Sequence, residues 1–208
     1  MPVVVAFGDS NTWGYDPALG MRFGATARWT GVMRAELGGR FEVIEEGLNG
    51  RTTVHDDAFE PHRNGLAYLP PCLLSHAPLD LVIIALGCND LKHRFGLTPG
   101  DIARGAERLV MCALEMGVGP GGKPPKVLLS APPPLVELSE FSDMFADGPQ
   151  KSLALAPLYR AVAKAHGAAF IDAAAHIHCS PLDGIHYEAD QHAILGRAMA
   201  AAVRTQLA

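Results

Sequence analysis

The sequence predicts an α/β fold whose mainly parallel sheet is covered by helices on both faces. Three observations carry this expectation: five short apolar runs, segments of helical patterning between them, and a regular alternation of the two. The apolar runs lie at 2–7, 42–46, 81–87 and 126–131, with a weaker one at 168–172. They are rich in Val, Ile and Leu and nearly uninterrupted by polar residues, the pattern of strands buried on both faces. Apolar residues recur at helical spacing near 29–38, 65–76, 101–116, 152–166 and 188–206, where Ala, Leu, Met and Arg favour helix. Thr98-Pro99-Gly100-Asp101 sets a capping Thr before a first-turn Pro, and Gly117 stops the helix that follows. Strands joined through helices make right-handed crossovers, and sites in such sheets form at the carboxyl ends of the strands.

Three connections are long, at 13–28, 47–64 and 132–151. Loops of this length in a compact domain build sites or interfaces. These carry Trp13, Tyr15, Met21, Phe23, Phe59, Phe141, Met144 and Phe145, enough apolar surface to wall a pocket or meet another subunit. No repeat or linker divides the chain, so residues 1–208 are expected to form one domain.

Composition narrows the function. With 49% hydrophobic and 19% charged residues the chain is a folded globule, not a disordered one. A net charge of −5 with scattered acids gives no footprint for nucleic acid or an anionic membrane, and favours a small neutral substrate. No stretch approaches the ~20 apolar residues that span a bilayer, and MPVVVAFGDS carries no basic leader, so a cytoplasmic location is expected. Cys72, Cys88, Cys112 and Cys179 lack paired spacing and read as free thiols.

Directly after the first predicted strand comes Gly8-Asp9-Ser10-Asn11, where a tight turn would expose a serine hydroxyl at the strand's carboxyl end. Such a hydroxyl is a weak nucleophile until a base takes its proton, and the base needs a carboxylate to fix its tautomer. Asp183-Gly184-Ile185-His186 supplies both. Acyl transfer also needs donors for the developing oxyanion, and other strand ends provide them. The backbone amides of Ser10 and Gly50 and the side chain of Asn89 are the candidates, with Trp13 and Tyr15 expected to line the acyl pocket.

In order along the chain, GDSN, GLNG ending at Gly50, GCND holding Asn89, and DGIH holding Asp183 and His186 resemble the four blocks of the SGNH/GDSL hydrolases. FGDSNTWGY, RWTGV, FEVIEEGLNGRTT, YLPPCL, PLDLVIIALGCND and KVLLSAPPPL are further similar to the small bacterial arylesterase/acyltransferase subgroup. The resemblance implies a flavodoxin-like three-layer α/β/α sandwich with a mainly parallel five-stranded sheet. It implies ester hydrolysis through an acyl-enzyme on Ser10 without metal or cofactor, acyl transfer to alcohols, and homo-oligomerisation. On the same triad stand thioesterase, lysophospholipase and carbohydrate deacetylase activities, and a non-catalytic ligand-binding or assembly protein is the reading from another class.

Other motifs weigh toward structure. Asp9, Asp90 and Asp80 read as acceptors for loop amides, and Cys88 as a small buried hydrophobe. His176, His178 and Cys179 beside His186 lack standard zinc spacing and read as a polar loop. His192 reads as a surface or packing residue, and Arg22, Arg28 and Arg51 as surface or interface residues. The GVGPGGK run at 117–123 follows a helix and opens a strand, the reverse of a phosphate loop, and reads as a surface turn.

Overall fold

The computed structural model describes residues 1–208. Five strands, β1 (Val3–Gly8), β2 (Glu42–Gly47), β3 (Leu81–Ala85), β4 (Lys126–Ala131) and β5 (Ala169–Asp172), form one sheet. They alternate with helices α1 (Ser10–Trp13), α2 (Trp29–Leu37), α3 (Gly65–His76), α4 (Pro99–Glu115), α5 (Gly148–Ser152), α6 (Leu155–Ala165) and α7 (Ala189–Leu207). Every pairing is parallel and the order is β2-β1-β3-β4-β5.

That order positions the site. The chain moves one way from β1 to β2 and the other way from β2 to β3, so right-handed crossovers put α2 on one face and α3, α4 and α6 on the opposite face. Helix α7 closes the first face by packing along α2. The connections leaving β1 and β3 therefore diverge, and a crevice opens between those two strand ends.

The strands are apolar because both faces are covered: Val4, Val5, Ala6 and Phe7 of β1 and Leu81 to Ile84 of β3 are all buried. They anchor a single core cluster of 45 residues that also takes Leu109 and Val110 of α4, Tyr159 of α6 and Met199 of α7. Helix α4 opens with the expected capping box: Asp101 N–H donates to Thr98 Oγ1 (3.2 Å), and the Asp101 carboxylate accepts from the Thr98 amide (3.1 Å). The 117–123 segment is the turn between α4 and β4, as expected. No helix is long and apolar enough to cross a membrane.

His192 is fully buried, where α7 meets α2. Its Nδ1 accepts the Trp29 amide (3.2 Å), so the helix start that Arg28 leaves without a side-chain cap is satisfied from across the interface. Burial, aided by the positive charges of His186 and Arg28, lowers its pKa from 6.5 to about 4.

A folded-state pKa below the unfolded value means that His192 contributes stability above about 6.5, which is lost as pH falls toward about 4. Replacing it by Gln keeps an acceptor for the Trp29 amide and removes the titration. The wild-type unfolding free energy, minus that of His192→Gln, should drop by up to about 3 kcal/mol on acidifying through this window. Denaturant titrations along a pH series measure it, and a difference independent of pH would show that His192 is not held neutral by the fold.

Candidate active site

Ser10 stands at the first position of α1, immediately beyond β1. Asp9 caps this one-turn helix by accepting the Asn11 amide (3.0 Å), and Gly14 ends it in the left-handed region. A first-turn amide has no partner within its helix, so the Ser10 N–H is free to face a ligand. On the loop before α7, Asp183 divides its carboxylate between two tasks. One oxygen accepts the amides of Ile185 and His186 (both 2.9 Å), fixing the turn, and the other takes the His186 ring at Nδ1 (2.6 Å). With Nδ1 donating to Asp183, Nε2 is the acceptor for the Ser10 hydroxyl at 2.9 Å. The three groups form a continuous hydrogen-bonded relay.

Burial works to raise the Asp183 carboxyl, but the His186 hydrogen bond and charge and the two amides outweigh it, holding the group below its usual range. Asp183 is therefore an anion beside the imidazole. Asp9 lacks such compensation, and burial pushes it up to about 6 despite the Asn11 amide and the charges of His186 and Arg51. Asp90 is also raised by burial, against its bonds to Thr53. Asp80, expected to accept in its own turn, instead accepts the amide of Val3 at the start of β1 (2.8 Å).

The loops after β2 and β3 are tied together. Asp90 accepts the Thr53 amide at 3.1 and 3.0 Å and also its hydroxyl, while Asn89 Nδ2 donates one proton to the Arg51 carbonyl (3.2 Å). An amide nitrogen carries two protons, so Asn89 retains a second donor. Behind this turn, Tyr159 donates to the Leu86 carbonyl at 3.0 Å. Gly50 has φ +78°, a conformation that residues with a Cβ rarely adopt, and a Cβ there would push aside the Glu60 carboxylate 2.4 Å away. Ser10, Gly50, Asn89 and His186 thus face one pocket of about 150 Å³, walled by Tyr15, Phe141, Met144, Phe145 and Ile185. The Tyr15 ring lies 4.2 Å from that of His186, centroid to centroid.

Two expectations need correction. Trp13 does not line the pocket: its backbone is wedged against the end of β2, where a Cβ on Gly47 would fall 2.2 Å from Trp13 N, and its ring turns away beneath the Arg22 guanidinium. Arg28 and Arg51 are buried, not at the surface. Arg28 donates to Glu45 (2.6 Å) and the Phe23 carbonyl (3.0 Å), drawing the 13–28 loop onto the sheet edge. Arg51 donates to the carbonyls of Gly8 (2.9 Å) and Glu46, joining the ends of β1 and β2 beneath the crevice.

Asn49, Glu60 and Lys92 also border the pocket, and sequence reasoning missed all three. Lys92, nearly fully buried, donates to Glu60 (2.9 Å) and lies 3.6 Å from Asp57. Its place three residues after Asn89 in the same turn was the one signal for it. The Cys88 thiol is buried and pushed well above its usual pKa by that burial and by nearby acids, which leaves it unreactive. In the 176–186 region, His176 and His178 are exposed while Cys179 is buried, so these groups do not converge on one point.

The model of the GDSL-like lipase/acylhydrolase family matches residues 6–194. Among solved structures, an aryl esterase of M. smegmatis is 45% identical, with a TM-score of 0.95 over 99% of this chain and 100% of that one. A carbohydrate acetylesterase from Sinorhizobium meliloti is 43% identical, with a TM-score of 0.94 over 99% of each chain. A lipolytic protein of the G-D-S-L family from Veillonella parvula, at 15% identity and a TM-score of 0.72 over 99% of each chain, shares the fold. No curated protein matches the sequence.

Because Asp9 is raised from 3.8 to about 6, the folded protein keeps its proton where the unfolded chain has lost it. Its contribution to stability is present below about 3.8 and is lost as pH rises through about 6. The unfolding free energy of wild type minus that of Asp9→Asn should therefore fall by up to about 3 kcal/mol on raising pH through this interval. An unchanging difference would place Asp9 in its ordinary range.

Proposed function

The chain belongs to the GDSL-like lipase/acylhydrolase family, and on that premise we propose that it is a serine esterase for small carboxylic esters, acting as one domain over residues 1–208. The observation that carries the proposal is the relay from Ser10 through His186 to an ionised Asp183, opening onto a pocket that Gly50 and Asn89 also face. In the proposed reaction His186 removes the hydroxyl proton as Ser10 Oγ attacks the ester carbonyl. The tetrahedral oxyanion is held by the amides of Ser10 and Gly50 and the free Asn89 proton, and Asp183 stabilises the imidazolium. His186 then protonates the leaving alcohol. Water, or a second alcohol, adds to the acyl-enzyme in the reverse sequence and frees Ser10, so hydrolysis and acyl transfer share one intermediate.

Pocket size supports short acyl groups. About 150 Å³ is the volume of a cavity that accepts benzene, enough for a single ring or an acyl chain of a few carbons. The aryl esterase activity named for the M. smegmatis relative accords with this. A second reading, acetyl esters of sugars, is favoured by the polar rim: Asn49 Oδ1 is buried without a partner, and Glu60 and Lys92 stand beside it, groups suited to hydroxyls. It accords with the carbohydrate acetylesterase relative. A homo-oligomer, which the family resemblance implies, would have Leu19, Met21, Phe59 and Leu182 available as exposed large apolar residues to cover.

Exposure to an organophosphorus serine reagent should add one label per chain by intact mass. Ser10→Ala should lose both the label and the turnover of an aryl acetate while remaining folded. An active Ser10→Ala would overturn the assignment, and a folded, unlabelled and inactive wild type would favour a binding protein. Asp183→Asn should retain the label site but lower kcat by orders of magnitude.

Across aryl esters of rising chain length, kcat/KM should be highest for acetyl to butyryl and fall at least about tenfold by octanoyl, as the chain outgrows the pocket. A preference for the longer chains would place the acyl group outside it. Acetylated sugars in the same panel test the second reading.

A further inference from the structure

Outside the pocket, the end of β2 meets the last turns of α3. Cys72 and His76 are four residues apart on α3 and share one face of the helix. Glu46 reaches them from β2: its Oε1 lies 2.8 Å from His76 Nε2, and one donor atom from each of the three residues falls within 4.8 Å of the others. Cys72 is buried, whereas the side chains of Glu46 and His76 are partly open. The second Glu46 oxygen accepts from the Tyr68 hydroxyl at 3.3 Å. Glu46 and Tyr68 also border an open cavity of about 570 Å³ that leads to solvent.

We propose that Glu46, Cys72 and His76 form a binding site for a borderline-soft divalent cation of the zinc class, with water as fourth ligand. Thiolate, imidazole and carboxylate are the donors that such an ion takes. Metal–ligand bonds of about 2.0–2.3 Å in a tetrahedron set donors roughly 3.3–3.8 Å apart. Reaching that arrangement requires only that the Glu46–His76 contact open and the thiol close in. Tyr68 holds the carboxylate from behind, as outer-shell partners of metal ligands do.

On binding, Cys72 gives its proton to solvent as the metal–sulfur bond forms, His76 passes its Nε2 proton through solvent to Nδ1 so that Nε2 can bind the ion, and the hydrogen bond between Glu46 and His76 is exchanged for two metal bonds. Thiolate and carboxylate then balance the two charges of the ion. Arg51, which donates to the Glu46 carbonyl, therefore faces a neutral assembly. Without an ion, Glu46 holds His76 at 2.8 Å and also accepts from the Cys72 thiol, so the three donors already meet at one carboxylate, which the ion would take over. None of the three residues borders the Ser10 pocket, so the ion acts as a clamp between β2 and α3, apart from the ester chemistry.

Titrating the full chain with Co²⁺ under a thiol-free reductant should produce a near-ultraviolet thiolate-to-cobalt band that saturates at one equivalent and is displaced by Zn²⁺. Zn²⁺ alone should raise Tm in a concentration-dependent way. Cys72→Ser should abolish the band, and His76→Ala and Glu46→Gln, at partly open positions, should each weaken binding at least about tenfold, the size of effect expected for loss of a metal contact. Absence of the band in wild type, its persistence in folded Cys72→Ser, or unchanged affinity in both His76→Ala and Glu46→Gln would overturn the site.

Discussion

The reversal of strand order between β1 and β3 is the constraint on which the rest of the molecule rests. Two neighbouring parallel strands whose outgoing connections must pass to opposite faces leave their carboxyl ends uncovered. Such a crevice would fill with water or collapse unless the loops around it were held apart and satisfied. Arg51 does the first by joining the Gly8 and Glu46 carbonyls from below, with its guanidinium 4.2 Å from the centre of the Phe7 ring. Asp90 does the second, taking the Thr53 amide and hydroxyl so that the β2 and β3 loops move as one body. Gly50 and Asn89, distant in sequence, become neighbours through that bond network.

A buried arginine and a buried aspartate are costly unless each is met by several partners. Here the partners are mainly backbone groups at strand ends and in the loops that leave them. The charges and the loop carbonyls and amides therefore solve each other's desolvation. Removing either side chain loosens the join between neighbouring strand ends, so these residues act on the site through geometry without touching the pocket's reacting end. The same logic applies to His192, a buried imidazole spent on a helix start that lacks a side-chain cap.

Much of the fold was legible because its strands are buried on both faces. Uninterrupted runs such as LVIIA over 81–85 mark strands unambiguously, and the five expected runs match β1 to β5 within two residues at each end. Helix α3 also lies where the spacing puts it, despite Pro70 and Pro71 inside it. The relay could be read because the carboxylate and its imidazole sit three residues apart on one turn. What lay hidden was set by long-range geometry. Nothing local distinguishes Trp13, which turns away, from Tyr15, whose tilted ring lies against His186, since the close approach of Trp13 to Gly47 is a long-range contact. Loop arginines are commonly exposed, so the burial of Arg28 and Arg51 depended on partners in β1, β2 and the 13–28 loop that no spacing reveals. The short helices α1 and α5 are too brief to carry a period.

Four aspartates are buried; Asp57 is spent on Arg94 and Lys92, and composition alone cannot say which of Asp9, Asp90 and Asp183 serves the imidazole. Environment can. Asp90 spends both oxygens on Thr53 and is raised by burial, and Asp9 accepts the Asn11 amide and stands at about 6. Asp183 accepts two amides and the imidazole N–H, enough to reverse the effect of burial and keep it ionised. An acid that must steady a transient imidazolium has to carry its charge before the proton arrives. Under the proposed mechanism Asp183 meets that condition, because two amides of the DGIH turn and the imidazole N–H hold its charge, whereas the single Asn11 amide leaves Asp9 raised. The short sequence spacing of carboxylate and base is thus more than proximity: it brings along the two amides that hold the acid in its working state.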